Sequence, residues 1–313
     1  MKKTRLLQAA LLVVILTGCS GEDVPGTDIS GETELKVTAN IEGNDISTRS
    51  VVERFSSSDI GVYVDDDAGV YGPAENSTAS VTTGSSDLVA PSPSIYINAD
   101  ATVYAFYPAS TLSNPVSTSP LAIAVVSSDD FEATDQDDYL WATPVNVSKS
   151  DRTVGLTFQH ALSKVIFSIT LGNNYAGSGN LTGITLTAAN SSYEFLAGNG
   201  EMAIANGAVS GLTSTATLEY HGNLALSTSA TAAEALVAPV ILAESTSSAS
   251  EITIALTLDG STYSTTLPVS LVSEWVAATV YTYNITVNSG ELMIGSVSIT
   301  PWIDGSSTDI TVS

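Results

Sequence analysis

Positive charge is scarce in this chain of 313 residues, where 9 lysines and arginines stand against 33 aspartates and glutamates. Lys2, Lys3 and Arg5 fall in a leader that reads as removable, which leaves six basic residues against 33 acidic ones. An acidic excess on that scale repels phosphate backbones and anionic membrane surfaces, so nucleic acid is excluded as a partner. Histidine is rarer still, with His160 and His221 alone. Neither belongs to an HExxH pair, and the sequence has no GxSxG elbow, no P-loop and no GxGxxG behind a strand. The expectation is a protein that is not an enzyme and needs no cofactor. A single cysteine, Cys19, rules out an intrachain disulfide. Also missing, past the leader, is any stretch of ten or more residues with an apolar stripe at helical spacing. Only 13% of residues are charged, whereas surface helices carry many charges on their wet face. No strict short repeat is present, which argues against a solenoid or a propeller.

Serine, threonine, alanine, valine and glycine fill the chain, a composition suited to alternating strands. Its organising stretch is residues 153–171, TVGLTFQHALSKVIFSITL. Val154, Leu156 and Phe158 alternate with Gly155, Thr157 and Gln159, and then Val165, Phe167, Ile169 and Leu171 alternate in the opposite phase. Two strands joined by a phase shift at residues 160–164 are therefore predicted. A strand that changes phase in this way leaves one sheet and enters another. Further strands are predicted at residues 35–41, 59–63, 101–108, 121–126, 181–188, 214–220, 235–243, 251–258, 262–269, 280–287 and 292–299. Residues 91–93 and 110–120 read as loop. His160 is expected to cap the bend or bond a carbonyl, and His221 to lie in a turn spelled Tyr220-His221-Gly222-Asn223. Trp141, Trp275 and Trp302 each fall in a strand-like pattern and are expected in the core rather than on an exposed platform.

Asp129, Asp130, Glu132, Asp135, Asp137 and Asp138 place six carboxyls within residues 129–138. Oxygen ligands on a flexible loop suit Ca²⁺. The spacing departs from the twelve-residue Ca²⁺ loop and lacks its glycine, so a solvated acidic loop is expected.

The chain opens with MKKTRLLQAALLVVILTGCSGED. Its apolar run, residues 9–16, is far shorter than the ~20 residues of a spanning helix, and the basic start before it marks a signal peptide over 1–18. Leu16-Thr17-Gly18-Cys19 resembles the bacterial lipobox, in which the cysteine is lipidated and becomes the new N-terminus. Cys19 is thus the expected anchor to the outer membrane. Ser20, Glu22 and Asp23 resemble a surface-export signal of Bacteroidales lipoproteins and serve equally as a polar tether. Residues 21–31 read as a flexible tether. Then Leu35, Val37, Ala39 and Ile41 alternate with polar residues, and a loop follows that carries Arg49 and, a little later, Arg54.

Taken in order, several stretches resemble the fimbrillin-like proteins of Bacteroidales, subunits of surface pili exported as lipoproteins. They are Arg49 followed by Phe55 and Asp59-Ile60-Gly61-Val62-Tyr63; Ala105-Phe106-Tyr107-Pro108; Asp138-Tyr139-Leu140-Trp141-Ala142; and Phe158-Gln159-His160-Ala161-Leu162-Ser163-Lys164-Val165. Trp275, Tyr281-Thr282-Tyr283-Asn284-Ile285, Ile299 and Trp302 complete the series. The resemblance implies an all-β fold of two tandem transthyretin-like antiparallel β-sandwich domains, here 50–150 and 151–313. It also implies an arginine-specific protease that cuts after an N-terminal strand. Carried over, the cut falls at Arg49, with Arg54 the alternative, and the lipidated segment 19–49 leaves with the strand at 35–41. The partners implied are other pilin subunits, identical or paralogous, joined by strand exchange. The implied donor is the tail 291–313, in which Leu292, Ile294, Val297 and Ile299 alternate with one register step at Gly295, and Ile310 and Val312 alternate again. Pro301 cannot donate to a ladder, which leaves open whether the whole tail or one half of it is donated. The expected location is a cell-surface outer-membrane lipoprotein precursor whose mature form lies in the fimbrium. The competing reading is a surface lipoprotein that binds glycan or a host ligand and never polymerises.

Overall fold

The phase shift at His160 is a change of sheet. This is seen in a computed structural model that describes residues 34–42, 58–65, 77–82, 85–110, 112, 119–188, 194–242, 252–268, 270–302 and 310–312. The strands up to the seam are β1 (Lys36–Ile41), β2 (Ser58–Asp65), β3 (Ser77–Val81), β4 (Ala101–Tyr107), β5 (Pro120–Val125), β6 (Leu140–Ala142), β7 (Val145–Val147) and β8 (Thr153–His160). Beyond it run β9 (Ser163–Leu171), β10 (Asn180–Ala188), β11 (Phe195–Ala203), β12 (Val209–Ser210), β13 (Thr213–Thr215), β14 (Thr217–Ala225) and β15 (Thr231–Val237). The last are β16 (Val240–Ile241), β17 (Ile252–Leu258), β18 (Ser261–Thr266), β19 (Glu274–Trp275), β20 (Thr279–Asn288), β21 (Glu291–Pro301) and β22 (Ile310–Val312). Among the described residues the fold is all-β, with no helix.

β8 ends a seven-stranded sheet in the order β1-β8-β6-β4-β2-β3, with β7 also paired to β4. The two outer strands of this sheet meet one segment. Val37 of β1 and Val89 exchange hydrogen bonds of 2.8 and 2.9 Å, and Thr78 of β3 and Ser92 exchange bonds of 3.0 and 2.8 Å. The sheet is thereby curled until residues 89–96 bridge its edges around a core of Ile60, Val62, Val103, Leu140, Leu156 and Phe158. Curling buries one face of every strand and leaves neither edge free to pair with another chain.

Two residues after β8 the chain enters a second sheet, β15-β9-β20-β21-β22. It faces the four-stranded sheet β14-β10-β17-β18, and Val165, Phe167 and Ile169 pack with Ile184, Leu186, Ile254 and Tyr283 between them. This is a two-layer sandwich of the kind that alternating strands build. A small sheet, β12-β11-β13 with β5 on β11, joins the halves of the chain, since β5 precedes the seam and β11 follows it. Residues 33–313 form one compact unit.

The sheets depart from the all-antiparallel expectation in two places. β1 runs parallel to β8, and β20 runs parallel to β9. Both pairs join strands far apart in sequence, and a long crossover permits the parallel arrangement that a hairpin forbids. His221 is also not in a turn. It lies within β14, where the neighbouring Gly222 makes room for the Phe131 ring, 2.6 Å from where a Cβ would stand.

Candidate functional site

β1 is short, yet its inward side chains are sealed. Leu35, Val37 and Ile41 are fully buried and Ala39 is 3% exposed, while Asn40 faces solvent. They alternate because a strand points successive side chains to opposite faces. On one flank β1 keeps register with β8, pairing Val37 with Val154, Ala39 with Leu156 and Ile41 with Phe158. The Lys36 N–H donates to Arg152 O at 3.0 Å and the Glu42 N–H to Phe158 O at 2.8 Å. On the other flank lie the Val37–Val89 pair and a bond of 2.7 Å from the Leu35 N–H to Ile95 O. Without β1, a groove with main-chain groups on both walls and an apolar floor would stand open. Burial of Leu35, Val37 and Ile41 contributes about 5–9 kcal/mol at roughly 1.5–3 kcal/mol per large apolar side chain.

Residues 89–96, of which 91–93 alone were read from sequence, as loop, form one wall of this site. The available signal was Val89, Pro91, Pro93, Ile95 and Ile97 at alternate positions, with Ser92 and Ser94 between. Prolines are tolerated here because the bonds to β1 and β3 are made by Val89, Ser92 and Ile95, so no donor is required at 91 or 93.

The tail divides at Trp302. Before it, β21 is built into its own sandwich: every residue but Gly295 pairs with β20, and Leu292 and Val297 are buried. The register step read at Gly295 is there, between the pairs Asn284–Ser296 and Ile285–Ile294. Trp302 is 5% exposed and donates its backbone N–H to Ala278 O at 2.7 Å. Its ring stacks on His160, with centroids 3.6 Å apart and planes 3° from parallel. After it, β22 returns antiparallel to β21 through Val297–Val312, Ser298–Thr311 and Ile299–Ile310.

His160 is a partner of a carboxylate and not of a carbonyl. Its Nδ1 lies 2.9 Å from Asp138 Oδ2, both groups buried, and because a carboxylate only accepts, Nδ1 carries the proton. His160 Nε2 and Asp138 Oδ1 have no hydrogen-bond partner among the described residues. Nearby in sequence, the buried Lys164 Nζ lies 2.7 Å from Glu234 Oε2, an ionic contact off the hydrogen-bond direction. Trp275 and Trp302 are both buried, in separate clusters, and Trp141 is half-buried over Gly207.

The acidic loop is a structural joint. Asp130 accepts from the Glu132 N–H and the Thr134 hydroxyl, and these bonds, Thr134 first, hold its carboxyl below the usual range. Asp135 accepts from the Asp129 N–H at 2.6 Å and from the Ser128 hydroxyl. Asp138 belongs to His160, and the six carboxyls do not converge on one point that would hold an ion. Gln136 is buried and acts as a strand partner, accepting from the Leu236 N–H at 2.8 Å and donating to Leu236 O at 3.0 Å. A shallow cleft of about 310 Å³ near the loop is lined by Val125, Val126, Ala197, Leu218 and small hydroxyl residues.

Cys19, Arg49 and Arg54 lie outside the described residues, as do the side chains of Ile310 and Val312. Cys19 and Arg49 flank β1 in sequence, one on each side.

A family model described as fimbrillin-like matches residues 48–302, beginning past β1 and ending at Trp302. No curated protein matches the chain. Among solved structures, a candidate cell adhesion protein from Bacteroides ovatus is similar at 18% identity and a TM-score of 0.62, with 87% of this chain and 99% of that one covered. Another from Bacteroides uniformis gives 18% and 0.59 over 86% and 99%, and a fimbrial protein from Bacteroides vulgatus gives 14% and 0.54 over 86% and 99%. At such identities the likeness establishes the fold alone. The family rests on the sequence match over residues 48–302: the chain belongs to the fimbrillin-like family.

Proposed function

We propose that the chain is a subunit of a surface pilus that contributes to adhesion, is exported as a lipoprotein on Cys19, and matures by cleavage after Arg49. Family membership supports the coarser part, a cell-surface structural role in a pilus or in adhesion. The observation that carries the finer part is β1, a strand of six residues whose burial completes the first core and which lies in sequence between Cys19 and Arg49. Cleavage after Arg49 severs β1 from the subunit. The vacated groove then takes a strand from a neighbouring subunit, and main-chain bonds on both walls supply affinity. The tail beyond Trp302 is the segment this subunit offers in turn, because β21 and Trp302 belong to its own core. The outer membrane holds the precursor, an arginine-specific protease releases it, and other pilin subunits receive it. Reading the curled first sheet and the sandwich that follows it as tandem transthyretin-like β-sandwich domains belongs to the same proposal.

N-terminal sequencing of the protein recovered from surface fibres tests the cut, with Ser50 expected as the first residue. In cells carrying Arg49→Ala, β1 stays tethered and outcompetes any incoming strand through its high effective concentration, so the subunit is expected to be missing from fibres. Normal incorporation of unprocessed Arg49→Ala protein would falsify the gate, and a mature start at Phe55 would move the cut to Arg54.

A further inference from the structure

We infer that the site of β1 is graded by size and selects its partner: an extended segment of a different subunit with large, large, small and large residues at alternate positions. The inference rests on the strand-exchange reading above and asks which strand the groove prefers. Four inward places are filled by Leu35, Val37, Ala39 and Ile41, so a single methyl occupies the third place among three bulky groups. That place is closed, since Ala39 is 3% exposed and stands in register with Leu156 of β8 inside the first core. Close-packed interiors resist added methylenes as well as lost ones. A strand that reuses the bonds to Arg152 O, Phe158 O and Val89 runs in β1's direction, parallel to β8 and antiparallel to residue 89, which fixes the order in which the four places are read.

This chain's own tail suits that order poorly. After Trp302 its adjacent alternating apolar residues are Ile310 and Val312, preceded at alternate positions by Ser306 and Thr308. Seating Ile310 and Val312 in the last two places puts isoleucine where Ala39 fits and buries two hydroxyls in the Leu35 and Val37 places. Moving them one place back puts valine in the small place and threonine in Leu35's. Moving them back again avoids the small place and fills only the first two. The opposite phase buries Asp309. The groove therefore discriminates against a strand from an identical subunit and favours one shaped like β1, which points to assembly with a different subunit rather than with copies of itself.

Peptide exchange tests this on the full-length precursor, cleaved in place by an arginine-specific protease so that β1 is held without a covalent link. Fluorescent peptides of residues 33–43 compete for the site and are followed by anisotropy. The native peptide is expected to exchange in. Ala39→Ile is expected to bind at least about tenfold more weakly and Ala39→Ser near the native level, while truncation at Val37→Ala weakens binding by a similar factor. A peptide of residues 302–313 is expected to bind more weakly than the native one. Equal binding of the native and Ala39→Ile peptides, or tighter binding of 302–313, overturns the size grading while leaving strand exchange standing. Failure of every peptide, the native one included, overturns both.

Discussion

Trp302 is where the tail's root is held to the seam. Its ring covers His160, and its backbone N–H bonds Ala278, whose own N–H reaches Leu162 O at 2.9 Å. Trp302→Ala is expected to lower the stability of the chain by about 3–5 kcal/mol, the usual range for truncating a buried large aromatic, read from the midpoint of urea unfolding. A loss below about 1 kcal/mol would mean that the stack contributes little. Asp259 offers a pH test. Its carboxylate accepts first from the Ser178 hydroxyl, then from the Gly179 and Asn180 N–H groups at 2.9 and 3.0 Å and from the Tyr175 hydroxyl at 2.8 Å, and these bonds push its carboxyl well below the usual range. A depressed folded value stabilises above the unfolded carboxylate value of about 3.9 and is lost as the pH falls through the folded one. Wild type is thus expected to exceed Asp259→Asn in urea midpoint at pH 7, with the gap closing below about pH 4. A gap that stays constant down to pH 2 would contradict the assignment. Single residues were legible unevenly in the sequence. The core placement of Trp275 and Trp302 followed from their strand-like neighbours. The partner of His160 did not, because Asp138 is 22 residues away inside a run of acids that looked uniformly solvated.

Among the elements, those with large apolar residues at alternate or consecutive positions were the ones that could be read, whereas β3, which alternates through the smaller Ser77, Ala79 and Val81, was missed. β1, β8, β9, β17 and β20 each bury every second residue, and the bulge at Gly295 announced itself as a slip in that pattern. β11 was invisible because Gly198 has a φ of +85° and Gly200 sits where a Cβ would lie 2.7 Å from Ser210 O, so close approach to neighbouring strands replaces apolar alternation. Parallel pairing was invisible too, since alternation reports which face is buried and not which strand lies beside it. At this scale the test falls on the tail. β22 makes three pairs with the edge of β21 and β21 makes its own full ladder with β20, so deleting residues 304–313 should leave the fold intact. The truncated subunit is expected to unfold within about 1 kcal/mol of wild type and, in cells that assemble fibres, to end a fibre or be missing from it. Unfolding of the truncated protein would make the tail an ordinary core strand. Normal fibres would place the donated strand upstream or discard strand exchange.

For the whole molecule, the change of sheet between β8 and β9 was legible in the seam, and the joint between the sheets was not. Pro120–Val125 and the acidic loop precede the seam, yet β5 pairs with β11, Phe131 enters the second core and Gln136 bonds Leu236. Polar loop residues give no pattern from which such docking can be read, because their bonds are made one at a time to distant backbone. The proposed leader, by contrast, is read from sequence alone. Its apolar run is too short to span a bilayer and stops at Leu16-Thr17-Gly18-Cys19, so in the proposed export route the processed chain keeps only what is attached to the cysteine. A single acyl chain binds membranes marginally and reversibly, whereas the several chains of a bacterial lipoprotein hold firmly, so the proposed anchoring stands or falls with this one thiol. Cells fed a radioactive fatty acid are expected to label the wild-type precursor and leave Cys19→Ala unlabelled, with the mutant lost from the outer-membrane fraction. Because Cys19 and Arg49 lie on opposite sides of β1, the label should stay with the fragment that carries β1 and never appear on protein that starts at Ser50. Label on the Cys19→Ala protein would sink the anchor, and label on the mature subunit would show that the cut after Arg49 does not separate the lipid from the pilus.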